Sequence, residues 1–217
     1  MDGVGRSLGL VDWDDLDEVD RASQRLLHQA ASEPAMLRGA LDSLPDRPEL
    51  LALCEHYDIL DKVVLFNDHE TGVRVRLHVF LPGYFDRPHN HRWSYSSLIL
   101  RGSYRHFIFG DDRELSDNDS PADLRARMVR REAVGASYTL HHSMVHAVVA
   151  EPYTVSLIVR GPSVKDRFLV MDRVEGRSWW QYGAAIESPA EAAQKRMSSE
   201  RLALVQRRLA SLGVLDG

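Results

Sequence analysis

Between Val73 and Leu81 the chain alternates strictly. Val73, Val75, Leu77, Val79 and Leu81 hold one parity, and Arg74, Arg76, His78 and Phe80 hold the other. Successive strand side chains point to opposite faces, so this pattern predicts a β-strand with one apolar face. Further extended segments are predicted near 62–68, 91–101, 103–110, 126–134, 136–141, 144–150, 153–160 and 166–172. Turn-forming residues divide them, among them Pro82-Gly83, Gly102, Gly110-Asp111-Asp112, Gly135, Glu151-Pro152 and Gly161-Pro162. Many short strands with no helices between them predict an antiparallel sandwich or barrel.

Upstream, the period is helical. From about 13 to 58, Leu16, Val19, Leu26, Leu27 and Ala30 recur at three- and four-residue spacing and form one apolar stripe. Two shorter helical pieces are predicted near 34–44 and 47–57, punctuated by Leu44-Pro45-Asp46 and Arg47-Pro48. They are too short and too sparse in large apolar residues for a separate bundle, and are expected to pack on the outside of the strands. The acidic stretch 111–122 reads as a solvated loop, and the Ala-, Glu- and Arg-rich segment 188–212 as a closing helix. The expected organisation is a helical extension over 1–60, a β-domain over 61–175, and a tail with a helix over 176–217.

Composition narrows the function classes. A chain of 217 residues, 44% hydrophobic and 27% charged, can bury a real core as one globular domain. The net charge of −5 and the lack of a basic run give no reason to expect a nucleic-acid partner. Cys54 is the single cysteine, which excludes an intramolecular disulfide and a cysteine-rich zinc site. The first residues turn acidic at once, and no apolar run approaches the roughly 20 residues of a membrane span. A cytoplasmic protein with no membrane partner is the expectation.

The histidines carry the chemistry. His89 and His91 are two apart, so in an extended segment both imidazoles aim to one side and can take adjacent positions on one metal ion. They sit in a longer pattern: Gly83, five residues, His89-Asn90-His91, a short gap, Tyr95, six residues, then Gly102. This resembles the first motif of the cupin superfamily, with Tyr95 where the family has a glutamate ligand. Gly135 with His146 eleven residues later resembles the second motif. There His141-His142-Ser143 replaces the family's Pro-x-Gly turn, and Ala150 its closing asparagine.

The resemblance spans roughly 60 to 160. It implies a mainly β fold: an antiparallel double-stranded β-helix (the cupin or jelly-roll barrel), with the N-terminal helices and the C-terminal helix outside it. It also implies a metal ion held by His89, His91 and His146. Three-histidine sites in this superfamily resemble those of thiol dioxygenases and related oxygenases, while the His-x-Asp/Glu pattern of 2-oxoglutarate oxygenases is absent. Iron(II) is the first expectation, with zinc, manganese or nickel as alternatives. Three neutral ligands leave the ion its full charge, so anionic groups bind it more strongly.

Strand parity carries Trp93, Tyr95 and Ser97 to the interior that His91 faces. Tyr95 is open to four roles: weak ligand, hydrogen-bond donor, acid, or filler of barrel space. Tyr104 and His106 share a face of the strand after Gly102, where His106 would approach the metal or relay protons. Tyr95, Tyr104 and His106 are thus the catalytic candidates. Arg74, Arg76 and His78 share one strand face. If it turns inward, an arginine can clamp a substrate carboxylate; if outward, it is a solvated face. Trp93 and His142, the latter at the turn expected at the barrel mouth, complete the substrate-binding candidates. Trp179, Trp180 and Tyr182 are expected to pack the tail onto the barrel.

The functional expectation is a mononuclear iron oxygenase acting on a small polar or carboxylate-bearing molecule, with molecular oxygen as co-substrate. A metal-dependent lyase or isomerase, and a non-catalytic ligand-binding cupin, are the alternatives. Homodimerisation is expected from the superfamily alone.

Overall fold

The fold is described from a computed structural model that defines residues 8–183 and 188–216. The first seven residues of the acidic N-terminal stretch, and residues 184–187 of the tail, lie outside the described residues. Among the described residues, the N-terminal helices include α1 (Leu16–Ser32), α2 (Pro34–Asp42) and the single turn α3 (Pro48–Leu51). Asp15 caps α1, its side chain accepting from the amides of Asp17 and Glu18, and Pro34 starts α2 where a missing N–H costs nothing.

Eleven strands follow: β1 (Glu55–Tyr57), β2 (Leu60–Asn67), β3 (Arg74–Phe80), β4 (Tyr95–Arg101), β5 (Ser103–Asp111), β6 (Met128–Ala133), β7 (Ser137–Leu140), β8 (Met144–Ala150), β9 (Val155–Arg160), β10 (Arg167–Asp172) and β11 (Arg177–Tyr182). The chain closes with α4 (Pro189–Lys195) and α5 (Ser199–Ser211).

All strand pairs are antiparallel. The larger sheet runs β1-β2-β3-β9-β4-β7, and the second is built from β6-β5-β8 and the hairpin β10-β11. The segment before β4 joins those two pieces. His89 exchanges both backbone hydrogen bonds with His146 of β8 at 2.8 Å, while Asn90 donates to Leu169 and Pro88 accepts from Met171. Two sheets, with chain-distant strands as neighbours, form the expected jelly-roll barrel.

The larger sheet has its apolar face outside. Val75, Leu77 and Val79 of β3 and Val155, Leu157 and Val159 of β9 join Leu27, Leu41, Leu50, Val205 and Leu209 of the helices in one buried cluster. Burying that face against helices is the main stabilising contribution of the layer. The opposite parity of β3 and β9, including Arg74, Arg76, His78, Ser156 and Arg160, lines a cavity of about 790 Å³ between the sheets. The helices therefore pack outside the barrel, as expected, and the arginine face turns inward rather than to solvent.

Polar ties fix the helices. Arg201 of α5 donates two hydrogen bonds, at 2.9 and 2.7 Å, to the fully buried carboxylate of Asp61 in β2. Thr139 of β7 donates to Asp20 of α1 at 2.6 Å.

Two sequence expectations are corrected. The helix expected over 47–57 ends at Leu51, because Glu55–Tyr57 pairs with Leu60–Lys62 as an edge hairpin. The segment 177–182, expected as tail outside the β-domain, is a strand that extends the second sheet through β10, and its Trp180 packs against that sheet's core as expected. The motif glycines have a conformational role. Gly83 and Gly102 adopt φ of +86° and +75°, and a Cβ on Gly102 would stand 2.5 Å from Thr154 Oγ1.

Candidate metal centre and substrate cavity

One ring nitrogen from each of His89, His91 and His146 lies within 4.8 Å of the others. His89 reaches the site from the backbone bridge to β8, and His146 from β8 itself. His91 is carried two residues beyond His89, its amide donating to His142 O at 3.3 Å. The Nδ1–H of His89 donates to the carbonyl of Arg87 at 2.8 Å, which leaves Nε2 as a metal-directed lone pair. The Nε2 atoms of His91 and His146 are 2.8 Å apart. Two imidazole ligands at about 2.0–2.1 Å from one ion, at right angles, stand about 3 Å apart. The donor set therefore fits one borderline divalent ion. Burial first, then the neighbouring imidazoles, hold His91 and His146 well below the ordinary histidine pKa, which keeps both neutral and able to coordinate.

His146 is held from behind. Its Nδ1 is 2.9 Å from Nε2 of His106, and His106 Nδ1 is 3.5 Å from Glu132 Oε1. His106 is 2% exposed, does not line the cavity, and has its pKa pushed down to about 4 by burial, then by Arg130 and His89. It stands behind His146 as an outer support, so of its two expected roles, approaching the metal or relaying protons, the first is corrected. Such partners fix the tautomer and orientation of a ligating imidazole. Glu132 is fully buried in β6, next to Arg130 at 3.2 Å.

Tyr95 lines the cavity with its hydroxyl 3.4 Å from His146 Nε2. Tyr104 is also on the wall, its hydroxyl 2.6 Å from that of Tyr138. Burial raises the pKa of all three phenols, so they stay protonated and act as donors. Asp86 contacts His89 Nδ1 at 3.4 Å, and burial raises its pKa.

Arg74, Arg76, His78 and Trp93 line the same cavity as the histidines. His142 does not. Its Nε2 and that of His141 turn away to Asp14, at 3.4 and 3.7 Å, because the turn before β8 packs against the residues that precede α1. That corrects its expected substrate role. Glu132, Tyr138, Asp86 and Arg160 were missed: each reaches the site by strand pairing or loop return that the linear pattern does not display.

The strand order and registers define a jelly-roll barrel of two antiparallel sheets, and the three histidines cluster on its cavity. No protein-family model and no curated protein matches the chain. Among solved structures it is similar to KdgF from Halomonas sp., at 17% identity and TM-score 0.38, over 49% of this chain and 82% of that one. It is similar also to an RmlC-like cupin from Shewanella frigidimarina, at 17% identity and TM-score 0.39, over 52% and 86%. A third is the DMSP lyase DddQ from Ruegeria pomeroyi, at 14% identity and TM-score 0.41, over 55% of each chain. The fold assignment rests on the strand order and registers themselves. Among the described residues, no helix is long and apolar enough to cross a membrane.

Proposed function

We propose that this cupin is a mononuclear metal-dependent enzyme, an iron(II) oxygenase acting on a small polar or carboxylate-bearing molecule bound at the metal. One observation carries the reading: the three neutral imidazoles open onto the same cavity as Tyr95 and the arginine face of β3 and β9. A bound divalent ion supplies Lewis acidity and, as iron(II), the means to activate dioxygen. The protein residues do the rest. His106 and Glu132 hold His146 in its ligating tautomer. Tyr95, protonated and 3.4 Å from His146 Nε2, donates a hydrogen bond to an anionic group at the site or delivers a proton to it. The buried arginines orient the substrate by its negative end.

Metal analysis of protein purified without added metal or a chelating tag tests this. Stoichiometric iron, with oxygen uptake that depends on a small anionic substrate, is the expected result. Protein without stoichiometric metal would sink the enzymatic reading and leave a ligand-binding role.

The chain Tyr95–Tyr138–Tyr104, with Asp86 lining the same cavity, favours a second reading as a metal-dependent lyase or isomerase. Such reactions need proton donors and acceptors beside the metal and consume no oxygen. Metal-dependent turnover under anaerobic conditions would move the assignment there.

A further inference from the structure

One wall of the cavity carries more positive charge than the protein pairs. Arg74 and Arg160 are directly opposed across the β3–β9 ladder, and Arg76 follows Arg74 on the same face. Like charges opposed on a sheet repel, and sheets built for stability avoid them. Here Arg76 and Arg160 are also only 8% exposed.

Their partners are neutral. Arg160 donates to the carbonyls of Gly72 and Gly161 at 3.2 and 2.7 Å, and Arg74 to the side-chain oxygen of Asn67 at 2.8 Å. Arg76 makes no hydrogen bond or ion pair among the described residues, and its buried Nε is unpartnered. The nearby carboxylate of Glu55 is engaged by Lys62 at 3.4 Å and Lys195 at 3.0 Å.

The neutral groups of the wall point the same way. The indole N–H of Trp93, Nε2 of His78 and Oγ of Ser156 are buried without partners. Natural proteins satisfy buried polar atoms, so a set of them around one cavity faces a polar occupant, either water or the polar groups of a ligand. The Trp93 ring lies 4.6 Å from the guanidinium carbon of Arg160, 5.6 Å from that of Arg76 and 5.9 Å from the His91 ring. The cationic wall and the three-histidine cluster are thus one small molecule apart.

We propose that this wall is an oxyanion subsite for a dianionic group of the substrate, of the phosphate or dicarboxylate kind, whose other end lies at the histidine cluster. Guanidinium forks match such oxygens bidentately, and three guanidiniums, of which Arg74 and Arg76 share the single carboxylate of Glu55 with two lysines, call for two negative charges rather than one. The inference rests on reading the cavity as the substrate site and narrows its substrate class.

Calorimetric titration with inorganic phosphate and with malonate, in chloride buffer, tests it, with metal content measured on every sample. Wild-type protein is expected to bind at least one of the two. Arg76→Gln and Arg160→Gln should each weaken that binding by about tenfold or more, with Arg76→Lys between them and wild type. His91→Ala should lose metal yet keep anion binding. Preference for phosphate identifies an ester substrate, and preference for malonate a dicarboxylate; either supports the subsite. Anion binding that survives both arginine changes and disappears in His91→Ala would place the anion on the metal and overturn the subsite, leaving the metal reading intact. Folded wild-type protein that binds neither anion at millimolar concentration would overturn it as well.

Discussion

The Nε2 atom of His106 stands 2.9 Å behind Nδ1 of His146, and Glu132 stands behind His106. The histidine that β8 supplies to the cluster is therefore oriented by a buried chain crossing from β8 through β5 to β6. Losing an outer partner of a ligating imidazole costs roughly 10–100-fold in metal affinity. His106→Ala should show a loss of that size in competition with a chelator, and Glu132→Gln a smaller loss in the same direction. An unchanged affinity in both would mean that the backbone bridge to His89 alone positions His146.

Tyr95 occupies the motif position of a carboxylate ligand, but its hydroxyl is a protonated donor 3.4 Å from His146 Nε2. Tyr95→Phe should keep full metal stoichiometry and change stability by about 1 kcal/mol, the net contribution of one hydrogen bond. Metal analysis and a denaturation curve check it. Loss of the metal in this variant would make the phenol a ligand.

Much of this was legible in the sequence. The period-two run of β3 and the spacings Gly83–His89–His91–Gly102 and Gly135–His146 placed the barrel and its histidines. Parity also put Arg74, Arg76 and His78 on one face, but could not say which way it turned. A Val and Leu face usually marks the inside of a barrel; here it meets α1 and α5, and the polar face lines the cavity. Arg160 and Glu132 were illegible because their roles depend on register, Arg160 opposite Arg74 and Glu132 opposite Tyr104. The helix expected over 47–57 failed because Leu50, Leu51, Cys54 and Tyr57 satisfy a helical spacing, while pairing with β2 claims the last three residues for a strand. Tertiary pairing overrode local periodicity there.

At the edge of the larger sheet, Glu55 is mostly buried, which presses its pKa up, yet Lys62 and Lys195 carry it down from 4.5 to about 2. The folded state thus binds its proton more weakly than the unfolded chain does. Its stabilising contribution is complete above pH 4.5 and is lost as the pH falls toward 2. With the carboxylate about a quarter exposed and Lys62 paying its own desolvation, the contribution is about 1–2 kcal/mol. Glu55→Gln should lower stability at pH 7 by that amount and flatten the acid limb between pH 4.5 and 2; parallel curves for variant and wild type would remove Glu55 from that limb.

The same electrostatics make an unusual prediction for Arg76. A buried guanidinium with no carboxylate in contact, sharing the charge of Glu55 with Lys62 and Lys195 and standing beside Arg74 and Arg160, destabilises the protein on its own. Replacing buried charges by apolar groups of similar volume is often neutral or stabilising, by about 1–4 kcal/mol. Arg76→Met should therefore raise the melting temperature in chloride buffer. A dianion bound only by the folded state stabilises it as its concentration exceeds Kd, so phosphate or malonate should raise the melting temperature of wild type. The variant should respond little, and the gap between the two should narrow or reverse as the anion is added. Arg76→Met less stable than wild type without anion, and equally responsive with it, would show Arg76 to be a structural residue.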